Sequence, residues 1–214
     1  MLFRSESHTT AGVQDWNRLD LEKSLASFDV RNRVLVSYVM QLPVGTNQRF
    51  FGTAGPMLNR VIGGWGVNGI TILQSGFPMP FTTAANNTGS QGGGSRPNLV
   101  PGAQRTVKGS EANRVNDWFN TAAFSQPAAF TFGNENRVDS TIRDSGIANW
   151  DFTLSKNTPI TERLNFEFKT EVFNLFNRVQ FGDPNAQLGS QTFGIVSTTI
   201  GNPRLIQFAG RLTF

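Results

Sequence analysis

The chain has no cysteine and a single histidine, His8, among 214 residues. Without thiols it forms neither disulfides nor thiolate metal sites. One histidine in an irregular segment cannot anchor a metal centre, because no His–His or His–Cys spacing exists. A Ser-His-Asp enzyme would have to use His8, and nothing around it resembles a nucleophile elbow. Catalysis is not expected, nor is any cofactor or metal. No run approaches the roughly 18–20 consecutive apolar residues of a membrane-spanning helix. The opening "MLFRSESHTT" contains no apolar signal region, so an export signal is expected upstream of the residues given.

Clustered positive charge is also missing. The 19 Lys and Arg outnumber the 15 Asp and Glu, for a formal net charge of +4. No two of them are adjacent, and the closest pair is Arg31 and Arg33. A nucleic-acid footprint would gather them on one stretch, so nucleic acid is not an expected partner.

What is present is glycine (22 residues), phenylalanine (19) and alternation. In "RLIQFAGRLTF", residues 204–214, Ile206, Phe208, Leu212 and Phe214 alternate with Gln207, Ala209, Arg211 and Thr213. This period of two continues to the last residue and predicts a paired strand rather than a polar tail. The same pattern sets Val34, Val36, Tyr38, Met40 and Leu42 on one face of a strand closed by Pro43. It sets Trp150, Phe152 and Leu154 against Asp151, Thr153 and Ser155. It also sets Leu164, Phe166, Phe168 and Val172 against Asn165, Glu167, Lys169 and Glu171. "WGVNGITILQSGFPMPF", 65–81, reads as the second strand in chain order, with an ambiguous face, since Ile70 and Ile72 oppose Trp65, Val67 and Leu73.

Between the strands, 82–147 has no sustained periodicity, although "NDWFNTAAFSQPAAFTFGN" is a candidate for local order. Residues 1–30 are irregular apart from a possible short helix near Leu19–Leu25, and the connector 43–64 has room for one helical turn. Glu167 and Glu171 with Lys169 between them form a charge-balanced stripe, not an acid/base pair. "GSQGGGS" lacks the ending of a phosphate-binding loop, and "NENRVDS" lacks calcium-loop spacing.

Strands of about 9–14 residues, joined by connections that alternate short and long, suit either a soluble sandwich or a membrane barrel. Aromatic weight on the apolar faces favours lipid. On that reading Val34, Val36, Tyr38, Trp150, Phe152, Leu154, Leu164, Phe166, Phe168 and Phe208 face lipid. Asn165, Glu167, Lys169, Glu171, Gln207 and Arg211 face a wet lumen. Loops 1–30, 82–147 and 177–203 fall on the extracellular side, while 43–64 and 156–163 fall on the periplasmic side.

"SFDVRNRVLVSYVMQLPVG", "GGWGVNGITILQSGFPMPF", "RPNLVPG", "WFNTAAF", "NWDFTLSKNTPITERLNFEFKTEVFNLFN" and "TIGNPRLIQFAGRLTF" occur in this order. Together they resemble the distal barrel of TonB-dependent outer-membrane receptors. The likeness is to the Oar-like subgroup, which carries a carboxypeptidase-regulatory-like domain before its plug. The resemblance implies an all-β fold: an antiparallel transmembrane β-barrel segment of about five strands, an incomplete barrel with long extracellular loops. Residues 1–30 would be an irregular lead-in, and 31–214 the C-terminal portion of the barrel.

It further implies a bacterial outer-membrane location and a structural part in importing a bulky solute. A barrel-assembly signal would lie at Gln207, Ala209, Leu212 and Phe214, with Ala209 where glycine is usual and Leu212 where an aromatic is common. The implied partners are outer-membrane lipid, the barrel-assembly machinery, and the plug and further strands of the same receptor. TonB-type energy coupling would act through those further parts, making these 214 residues a fragment of a longer receptor. The alternatives are a soluble or surface β-rich binding module, or a self-assembling outer-membrane pore or adhesin.

Overall fold

The computed structural model describes residues 13–89 and 95–214. His8 and the glycine run at 90–94 lie outside the described residues. The chain divides into two compact units that interleave in sequence. One is a sheet unit made of 32–74, 147–179 and 201–214. The other is a loop unit made of the described residues of 13–31, 75–146 and 180–200.

The sheet unit holds five antiparallel strands in sequence order: β1 (Arg33–Gln41), β2 (Trp65–Gln74), β3 (Ile147–Pro159), β4 (Asn165–Phe173) and β5 (Leu205–Thr213). Each pairs with its sequence neighbour, and β1 and β5 form the two edges. Val34, Val36 and Val39 supply the branched side chains that suit a pleated ladder, and Pro43 ends it because it has no N–H to donate. β3 and β4 join through 160–164, where the Ile160 N–H donates to the Leu164 carbonyl at 2.9 Å. The Leu164 N–H in turn donates to the Thr161 hydroxyl at 3.1 Å.

Two glycines are required by close approach. Gly64 enters β2 with φ +73°, and a Cβ there would strike the Asn157 carbonyl. Gly69 stands opposite Tyr38 on β1 and Phe152 on β3, and a Cβ would lie 2.6 Å from the Asp151 carbonyl oxygen. The bare backbone at Gly69 gives the Tyr38 ring its room.

Two expectations are corrected. The second strand does not run to residue 81; it stops at Gln74. Pro78 and Pro80 cannot extend a ladder, and Arg143 donates to the Gly76 carbonyl at 2.9 Å, which turns the chain aside. Pro78–Met79 forms a separate short pair with Asp139–Arg143. Nor is Leu19–Leu25 helical. Its bonds close four-residue turns, such as Leu21 N–H to Arg18 C=O at 3.1 Å, and Leu19 and Leu25 are exposed, so no buried stripe holds a helix. The connector 43–64 does contain a helix, α1 (Pro56–Ile62), with proline in its first turn.

The loop unit has its own aromatic core, although its sequence is aperiodic. Phe81, Trp118, Phe119, Phe124, Met79 and Ile142 are buried, with Leu188, Phe193 and Val196 packed on them. Phe81 stacks on Phe124 (centroids 4.4 Å apart) and meets Phe119 edge-on (5.0 Å). Phe193 meets Phe119 edge-on at 5.1 Å. The Trp118 indole N–H donates to the Arg143 carbonyl at 2.7 Å, and the Arg114 guanidinium lies over the Trp118 ring at 4.6 Å. The segment before β1 is tied in by a buried Glu22–Arg96 ion pair and by the Arg96 N–H donating to Gln14 Oε1 at 2.8 Å.

Candidate functional site

Residues directly opposite one another in an antiparallel ladder share a face, so the register sorts every strand residue. Val34, Val36 and Tyr38 pair with Leu73, Thr71 and Gly69. These pair in turn with Ala148, Trp150 and Phe152. Phe152 and Leu154 pair with Val172 and Thr170, and Lys156 and Thr158 with Phe168 and Phe166. Val172, Thr170, Phe168 and Phe166 meet Ile206, Phe208, Gly210 and Leu212. This is one continuous apolar face, on which Phe168 and Phe208 stack at 6.2 Å. All the residues expected to face lipid lie on it except Leu164, which falls one residue before β4.

The opposite face carries Arg33, Asp151, Glu167, Lys169, Glu171 and Arg211. Arg211 stands opposite Glu167, Gln207 opposite Glu171, and Lys169 pairs with Glu167 at 3.2 Å. Asn165 shares this face, so the six residues expected to line a lumen are brought together. The ambiguous strand is resolved by its partners: Trp65, Val67 and Leu73 join the apolar face, and Asn68, Ile70 and Ile72 the charged one. Over β1 and β2 the charged face is itself apolar, through Leu35, Val39, Ile70 and Ile72. Lys156 is the one charged residue of the five strands on the apolar face, and it sits level with Trp65 at a strand end.

The C-terminal residues Gln207, Ala209 and Leu212 lie on β5 opposite Glu171, Lys169 and Phe166. Phe214 follows the strand and is 99% exposed. Every residue of β5 is exposed, as is every residue of β1, so both edges present unpaired backbone groups.

The residues 3–207 match the model of the outer membrane beta barrel domain. The chain belongs to that family. No curated protein and no solved structure matches it. As an outer-membrane β-barrel domain it resides in the bacterial outer membrane, and the two-faced sheet is an unclosed stretch of barrel wall.

The loop unit of this barrel domain contains a cavity of about 510 Å³ that sequence reasoning missed. Its walls are Phe28, Phe77, Pro78, Met79, Pro80 and Pro184, and Asp144 and Asp183 supply its acid. Asp144 accepts the Phe77 N–H at 2.5 Å and shares a hydrogen bond with Asp183. Burial, reinforced by the Asp183 charge, pushes the Asp144 carboxyl up to about 7. Arg143 holds Asp29 at 2.5 Å beside it.

A second acid centre is Asp139, which accepts the Arg105 guanidinium at 2.5 Å, the Thr141 N–H at 2.6 Å and its hydroxyl at 2.7 Å. Glu135 is fully buried near it. Burial, then the Asp139 charge, pushes Glu135 up to about 7. Only the crowding of aromatics between 118 and 132 signalled, in sequence, that this region folds.

Proposed function

We propose that this barrel domain is part of the wall of a TonB-dependent, Oar-like receptor that imports a bulky solute, and that it acts by shape and binding rather than catalysis. The observation that carries the reading is the sheet with charge on one face and aromatics on the other, combined with a loop unit that has its own core and an open cavity. Binding residues concentrate on loops held by a rigid scaffold, which favours a receptor that recognises a solute over a plain pore wall. In this reading the apolar face meets lipid, and the charged face lines the lumen beside a plug. The long connections 82–147 and 177–203 act as extracellular loops that contact solute, and β5 with Phe214 is handed to the barrel-assembly machinery.

The direction of the edges supports closure by other strands of the same receptor. With five antiparallel strands, β1 and β5 run the same way. Copies joined β5 to β1 would pair in parallel at every junction. An all-antiparallel barrel with an even total instead needs an odd number of additional strands. Energy coupling would act through a plug and not through this wall.

The test is uptake by cells with and without the gene. Labelled oligosaccharides and peptides too large for general porins would be screened, then retested after collapse of the proton-motive force. Uptake that depends on both the gene and the force supports an energised receptor. Gene-dependent uptake that survives collapse refutes it in favour of a passive pore.

A further inference from the structure

We propose that the β1–β2 connection, residues 42–64, is a lipid-interface anchor: α1 and the loop before it lie in the headgroup layer and bind anionic phospholipid. The segment exposes Phe50, Phe51, Met57, Leu58 and Val61, with Met57 at 87%. That is a large apolar load for a connection of this length in water. It has two arginines, Arg49 and Arg60, and no Asp or Glu. Apolar side chains next to unopposed cations match a phosphate-bearing lipid surface.

The placement of α1 decides which face it extends. The Trp65 indole N–H donates to the Val61 carbonyl at 3.1 Å. Lys156 donates to the Gly63 carbonyl and lies 5.5 Å from the Trp65 ring centre. Trp65 and Lys156 both belong to the apolar face, so α1 continues that face past the strand ends rather than turning toward the charged one. A tryptophan and a reaching lysine at that level are the side chains that suit a membrane–water boundary.

The inference rests on the assignment of the apolar face to lipid, and one experiment separates the two. The chain lacks cysteine, so single nitroxide labels at Met57→Cys, Phe208→Cys and Glu162→Cys report one position each. The protein, purified from outer membranes, is reconstituted into phosphatidylcholine vesicles with and without phosphatidylglycerol. Accessibility to oxygen and to a water-soluble nickel chelate is read by electron paramagnetic resonance.

The expected result is that Met57 and Phe208 are shielded from nickel and open to oxygen, while Glu162 is open to nickel. Phosphatidylglycerol should deepen the Met57 label, and Arg49→Gln/Arg60→Gln should abolish that increment. Nickel access at Met57 with Phe208 shielded overturns the anchor and spares the wall assignment; nickel access at both overturns both. Spin–spin broadening at Met57 that vanishes on dilution with unlabelled protein overturns the anchor in favour of a second copy. A label depth indifferent to phosphatidylglycerol overturns the anionic preference.

Discussion

Phe81→Ala should open the loop unit while leaving the sheet intact. Phe81 is 1% exposed and touches three rings: Phe124 stacked at 4.4 Å, Phe119 edge-on at 5.0 Å and Phe193 edge-on at 6.4 Å. Truncating a buried phenylalanine costs about 3–5 kcal/mol, from lost transfer energy plus the cavity left behind. The losses of the aromatic pairs, about 0.5–1.5 kcal/mol each, place this site toward the upper end. At 1.4 kcal/mol per tenfold, the opening equilibrium should rise by about a hundred- to several-thousand-fold.

Hydrogen exchange followed by mass spectrometry on the detergent-purified protein reads this directly. The Trp118 N–H bonded to the Gly194 carbonyl at 2.9 Å, and the Val196 N–H bonded to the Val115 carbonyl at 2.7 Å, should exchange faster by that factor. Peptides from β4 and β5 should not change. Phe81→Leu, which keeps most of the volume, should cost less than about 1.5 kcal/mol. Unchanged exchange at 115–124 and 193–196, or an equal acceleration of β4 and β5, would refute the reasoning that this core stabilises a separate unit.

Phe208→Arg should cost about 2–4 kcal/mol and reduce the fraction of protein that reaches the heat-modifiable form on gels, because it buries a charge in lipid near mid-strand. Gln207→Arg, one residue away and opposite Glu171, should be tolerated; equal damage from both would overturn the face assignment. Gly69→Val should lower assembly yield at the same readout, because its Cβ meets the Asp151 carbonyl and the Tyr38 hydroxyl. Asp144 and Glu135, both raised to about 7, bind more protons in the folded loop unit than in the unfolded one. Their stabilising contribution is full below their ordinary values and is lost as pH rises through about 7, so loop-unit exchange should quicken from pH 5 to pH 8 after correction for intrinsic rates. Asp144→Asn with Glu135→Gln should flatten that profile despite the nearby Arg96, Arg105, Arg143, Asp139 and Asp183; a wild-type profile already flat would show that neither acid is protonated.

The wall was legible because strand alternation is a local property. Trp150, Phe152 and Leu154 announce a face without reference to any partner, and so do Phe166 and Phe168. β2 was not legible alone, because branched residues occupy both of its faces. Its register with β1 and β3, including Tyr38 and Phe152 opposite Gly69, fixes which side is which. The cavity acids were invisible for a related reason: Asp144 and Asp183 lie in different connections and are joined by the fold alone. The end of β2 was misjudged because "FPMPF" continues an apolar run, while its prolines and the Arg143 bond to Gly76 deny it a ladder.

The aromatic core of the loop unit draws on two connections, so neither one forms it alone. Phe81, Trp118, Phe119 and Phe124 precede β3, whereas Phe193 follows β4. The centre lacks that ring until the chain has passed through both strands and returned. Without the second connection the earlier aromatics lack a neighbour, and the cavity lacks the wall that Pro184 and Ala186 supply. The core is therefore a property of neither connection alone: residues 75–146 by themselves would leave Phe81, Phe119 and Phe124 without the Phe193 ring that completes their cluster.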